Sequence, residues 1–143
     1  LDGIEEDFRT RAGDVYRMLQ SADAAFVLVA APRPDTIAEA RTFLDALTRA
    51  SMPVRGVVVN RVTPDFGTDP GPAGRGAAAR ALADYRRLAA REQHEIAALA
   101  DAVPGAALVQ VPMLPEDVHD LAGLAAVAAR LTAHGDGAPG HLG

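Results

Sequence analysis

The sequence predicts an α/β fold, with a partial parallel sheet of about three strands flanked by helices. Three observations predict it. Short apolar runs alternate with longer segments of helical period, the order that builds βαβ units. The runs are apolar on both faces, as strands sandwiched between helical layers are. Prolines and glycines punctuate the junctions, so the elements stay separate.

The first helix spans about Ile4 to Leu19. Ile4, Phe8, Ala12, Val15 and Leu19 recur at helical spacing and predict an inward stripe. The first strand is Ala25–Ala31 (AFVLVAA), stopped by Pro32 and Pro34. The second helix opens on Thr36 and Glu39 at capping-box spacing and runs to about Ala50 on Ile37, Ala40, Leu44 and Leu47. Ser51, Met52 and Pro53 turn the chain into the second strand, Val54–Asn60 (VRGVVVN). Residues 63–76 form a loop rich in proline and glycine, too long for a simple connector and so expected to be mobile or functional. A third helix follows from about Ala73 or Ala77 to Asp101. Ala78, Leu82, Tyr85, Leu88, Ile96 and Leu99 approximate its inner face, and Arg86–Arg91 with Glu92–Glu95 its solvated side. Pro104 and Gly105 end it, and the third strand is Ala106–Val111. Pro112 and Pro115 bracket the short PMLP segment. The last helix covers about Glu116 to Leu131, with Val118, Leu121, Leu124, Ala128 and Leu131 inward. Residues 1–134 thus read as one segment of a domain, and 135–143 as a flexible tail.

Composition narrows the function. The 143 residues hold 19 acids and 14 bases, and 14 − 19 gives a net charge of −5. That balance argues against a nucleic-acid partner, which needs a basic face. There is no cysteine, so disulfides, zinc–thiolate sites and thiol catalysis are excluded. No apolar run approaches the roughly 18 residues of a membrane span. With no signal segment visible, a cytoplasmic location is the default expectation. All 14 bases are arginine. Without a lysine the chain cannot carry a standard Walker A loop, nor Schiff-base chemistry.

Three strands make a small sheet, and all three look like interior strands. Two must nevertheless be edges, and apolar edges are a liability. The expectation is that the sheet continues, either in upstream residues or in another copy that pairs along an edge.

In parallel α/β sheets ligands bind at the carboxyl ends of the strands. Asn60 closes a run of valines there. Its amide both donates and accepts, which matches the N6/N7 edge of adenine; equally, asparagine is a common turn residue. Pro112, Met113 and Leu114 could line an apolar slot for a purine, with Glu116 accepting from a ribose hydroxyl. Equally, two prolines could simply end a strand and start a helix, with Glu116 in its first turn. Arg33 and Arg61 read either as phosphate contacts near a helix start or as solvated charges. His94, His119, His134 and His141 share no ligand spacing, and no metal site or catalytic residue is expected.

Several segments together carry a family resemblance. The first strand leads into a helix with Glu39, Ala40, Phe43, Leu44 and Leu47 in an E-A-x-x-F-L-x-x-L pattern. Ser51-Met52-Pro53 through Val62 matches a G-M-P-L-x-G-x-V-V-N-R-V stretch. Val111 to Leu121 matches V-P-x-L-P-E-x-V-x-x-L. In order and spacing this resembles the later half of the ArsA-type anion-transporting ATPases, relatives of the tail-anchored-protein-targeting ATPases, MinD and the nitrogenase iron protein. The resemblance covers about residues 4–134. One departure is Arg33, where many relatives have an acidic residue.

The resemblance implies that Asn60 contacts the adenine base, with Arg61 beside it, and that Pro112, Met113, Leu114, Pro115 and Glu116 pack around the nucleoside. It implies the C-terminal portion of a P-loop NTPase fold, from a parent that hydrolyses ATP with Mg²⁺; neither ATP nor Mg²⁺ is expected to bind tightly to this chain alone. The expected partners are an N-terminal ATPase half, holding the phosphate loop and switch regions, and a second copy or related paralogue in a dimer. The alternative is a non-catalytic, stand-alone α/β interaction module associating through its sheet edges. A phosphate-receiving regulatory domain fits less well, because Asn60 stands where it needs an aspartate.

Overall fold

Valine fills the strands, and its β-branched side chain suits a pleated, half-buried surface. The computed structural model describes residues 2–67 and 76–133. In chain order the elements are α1 (Asp2–Gln20), β1 (Phe26–Ala30), α2 (Pro34–Arg49), β2 (Val54–Val62), α3 (Ala77–Asp101), β3 (Ala107–Pro112) and α4 (Leu121–Thr132). The three strands form one parallel sheet in the order β1-β2-β3. The α/β class, the strand count and the parallel arrangement agree with the sequence reading.

Alternation along the strands divides the side chains between two faces. Ala30 of β1 and Val57 and Val59 of β2 join Ile37, Ala40 and Leu44 of α2 and Ile96 and Leu99 of α3 in one core cluster. Both crossover helices therefore lie on the same face of the sheet. Leu44, Leu99, Val57 and Val59 are fully buried there. The opposite face is only partly covered. α4 packs against β3, but Val27 and Val29 of β1 remain exposed. Gly105, at φ +90°, turns the chain between α3 and β3 in a conformation that glycine tolerates best.

Several expectations need correction. The apolar stripe of α1 does not face inward. Ile4, Phe8, Ala12 and Val15 are exposed and Leu19 is half-buried, because no other element among the described residues makes an extended contact with this helix. Its C-terminal end is tied down by Gln20, whose Nε2 donates to the Ala50 carbonyl at 2.6 Å. α2 begins at Pro34 rather than at a Thr36 cap, since proline is pre-organised for the first helical turn. β2 runs two residues past Asn60 to Val62.

Tyr85 and Leu88 of α3 are exposed, not inward. Tyr85 instead meets Phe66 of the loop after β2, ring centroids 5.5 Å apart. Glu92, expected on the solvated side, is buried. α4 starts at Leu121 rather than Glu116. Asp120 caps it by accepting from the Gly123 amide at 2.7 Å, so residues 116–120 stay outside the helix. Leu121 and Leu124 are exposed for the same reason as the α1 stripe: no further layer among the described residues lies over them. Residues 68–75 of the expected mobile loop and the expected tail 135–143 lie outside the described residues.

Candidate functional site

The half-covered face of the sheet forms a groove of about 810 Å³ near the carboxyl ends of the strands. That size falls within the usual range for small-molecule sites, about 300–1,000 Å³. Val27, Val29, Val58 and Val111 form its floor, and Val127 and Leu131 of α4 flank it. Asn60, Arg61, Pro112, Met113, Leu114, Pro115 and Glu116 all line it. The structure thus brings together the seven residues that the resemblance places around the nucleoside, from two segments about fifty positions apart.

Strand alternation puts Val58 and Asn60 on the open face and Val57 and Val59 in the core. Arg61 should then point away from the groove, and a bulge changes this. β2 pairs with β3 through Asn60↔Val111 and then Val62↔Pro112, leaving Arg61 out of register. Arg61 has φ +63°, a left-handed conformation that arginine seldom adopts. Such bulges re-aim a side chain, and here two successive residues reach the same groove.

Asn60 supports this bend. Its Oδ1 accepts from the Arg61 amide at 2.9 Å, a local side-chain-to-backbone hydrogen bond at the bend. The amide orientation is thereby set. Nδ2 remains a donor with no hydrogen bond to another described residue, and Oδ1 keeps a second lone pair. A ligand edge with an acceptor beside a donor suits this group. The PMLP segment is held against the same strand end, because Met113 donates its amide to the Val62 carbonyl at 2.8 Å.

The rim is of mixed sign. Arg61 faces the groove alongside Glu116 and Asp117, so the rim offers no net positive cradle for phosphate. His119 Nδ1 lies 2.8 Å from the Asp117 carbonyl oxygen. No cluster of three or more potential metal-ligating side chains occurs among the described residues. Arg33, a candidate phosphate contact, is engaged elsewhere: its Nη2 donates to Asp35 Oδ2 at 3.0 Å. That hydrogen bond, with the Thr36 amide, holds the Asp35 carboxyl below its ordinary value of 3.8.

Sequence reasoning missed Glu92. Its carboxylate accepts from the Thr63 amide at 2.7 Å and from the Thr63 hydroxyl at 2.9 Å, in a buried setting. The signal was available: Ile96 and Leu99 follow at i+4 and i+7, so the apolar stripe of α3 passes through this position. Next to it, Gln93 of α3 and Gln110 of β3 exchange reciprocal amide hydrogen bonds at 2.8 and 3.2 Å.

No protein-family model matches the chain, and no curated protein matches it. No helix among the described residues is long and apolar enough to cross a membrane.

Proposed function

We propose that this chain is a nucleoside-binding segment of an ArsA-type ATPase, in which the groove takes the adenine end of ATP. The observation that carries this reading is the convergence of Asn60 and Pro112–Glu116 on one largely apolar groove. An apolar slot with a single set amide is the composition expected of a base-binding site. The groove residues do not suit the triphosphate, because the rim sets one arginine against two acids and no lysine is available. In this reading the phosphates and Mg²⁺ are held by an N-terminal ATPase half, where catalysis is positioning plus charge stabilisation. The exposed valines of β1 support it, since that half would cover them. The present chain orients the base and sets base preference.

The test is Asn60→Ala in the intact ATPase. Losing a well-placed side-chain hydrogen bond to the base is expected to weaken ATP binding by roughly tenfold, read by isothermal titration calorimetry. An unchanged affinity would remove Asn60 from the base contact.

A second reading is a non-catalytic module that associates with copies of itself. Val27 and Val29, apolar on an open face of edge strand β1, favour it.

A further inference from the structure

We propose that Glu92 is a positioning residue that sets the shape of the groove, acting through Thr63 and Val62 on both of its walls. Naming the ligand as a nucleoside rests on the reading above; the anchoring itself does not.

Thr63 and Glu92 are the two buried polar side chains among the described residues, at 4% and 9% exposure. A carboxylate in such a place is costly unless hydrogen-bonded. Here it accepts two hydrogen bonds, both from Thr63, the first residue after β2. The short stretch 61–63 therefore has three tasks. Arg61 carries the left-handed bend that brings two successive side chains into the groove. The Val62 carbonyl holds the amide of Met113 on the opposite wall. Thr63 is gripped by α3 through Glu92.

A bend of this kind persists only where its surroundings over-determine it. On its upstream side Asn60 is registered against Val111. On its downstream side the Glu92 clasp completes the restraint. Gln93, the next residue of α3, ties Gln110 just before Val111. Consecutive residues of one helix thus grip both strands whose ends form the site. Loss of the clasp would leave the Thr63 amide and hydroxyl buried without their acceptor. The end of β2 would shift to find water, taking the Arg61 bend and the Val62–Met113 bond with it.

Glu92→Leu removes both acceptors at similar volume. Glu92→Gln keeps the clasp, because its Oε1 still accepts from the Thr63 amide while the Thr63 hydroxyl turns to accept from Nε2. Both variants would be examined by residue-resolved amide exchange and by NMR titration with adenosine, a probe without phosphates. In Glu92→Leu the Thr63 and Met113 amides are expected to exchange roughly tenfold faster relative to the Val57–Val59 amides, the size of one lost net hydrogen bond. Adenosine affinity, read at the Asn60 side-chain amide, falls by about the same factor. Glu92→Gln restores both readouts, which loss of the charge alone would not allow.

Met113 exchange that keeps its ratio to Val57–Val59 in Glu92→Leu would overturn the proposal, since a general loss of stability moves all these amides together. Should Glu92→Leu fail to fold, Thr63→Val removes one of the two bonds and must shift Met113 in the same direction, by less. An unmoved Met113 there overturns the proposal as well. A different failure is recognisable separately. If the Asn60 amide of the wild-type chain ignores saturating adenosine while Glu92→Leu still frees Met113, the nucleoside reading falls and the anchor stands.

Discussion

Val57 and Val29 sit on neighbouring strands one register position apart, yet on opposite faces of the sheet. Val57 is 0% exposed between the sheet and helices α2 and α3, whereas Val29 is 63% exposed over the groove. Truncating each to alanine removes the same two methyl-sized groups. At about 0.8 kcal/mol per buried CH₂ the transfer loss for Val57 is about 1.6 kcal/mol, and a residual cavity raises the total to roughly 2–3 kcal/mol. With Val29 only about a third buried, the loss is about 0.6 kcal/mol with no enclosed cavity. Strand preference spans only about 1 kcal/mol and acts on both substitutions. The expected gap is thus about 2 kcal/mol, a factor of roughly 30 in the folded-to-unfolded ratio. Urea denaturation followed by circular dichroism reads it directly as a difference in midpoint at constant slope. Equal costs would mean that the second face is packed as tightly as the first, and the half-covered sheet would be wrong. Both readings of function would then lose their structural basis.

Two further outcomes follow from the structure. Asp35 should titrate below its ordinary 3.8, chiefly through the Arg33 hydrogen bond, and Arg33→Ala should raise its midpoint toward that value in a carboxyl NMR titration. Because the folded value is the lower one, the stabilisation is present above pH 3.8 and is lost as pH falls through the folded midpoint; a midpoint indifferent to Arg33 would dismiss the pair. If the chain is a self-associating module, light scattering should give a dimer mass at micromolar concentration, and a Val29→Asp variant should be monomeric. A wild-type monomer across that range argues against self-association.

Much of the fold was legible because hydrophobic period and turn residues are local signals. Ile37, Ala40, Leu44 and Leu47 mark the buried stripe of α2, and all four are buried. Pro32, Pro53, Gly105 and Pro115 sit at or near the element boundaries. The failures share a cause. The stripes of α1 and α4 correctly showed helices with an apolar face, but periodicity cannot say whether anything lies against that face. Ile4, Phe8, Leu121 and Leu124 have no layer over them among the described residues. Glu92 failed the other way: its charge suggested solvent, while the stripe of α3 carried it inside to a partner 29 positions earlier.

The candidate site divides along the same line. Asn60 and the PMLP segment could be chosen from the sequence because strand-end positions in a parallel sheet share one edge, whatever the details of packing. By itself the sequence determined the α/β class, the order of elements, the segments near the strand ends and the absence of a lysine-bearing phosphate loop from this chain. Only the tertiary structure decided that Asn60 and Arg61 face the same way, because this depends on a bulge set by pairing with β3. It alone joined the two walls through Val62 and Met113, and it alone gave Thr63 its buried partner on α3. These are long-range contacts between backbone groups and single side chains, and they leave almost no trace in the spacing of residues along the chain.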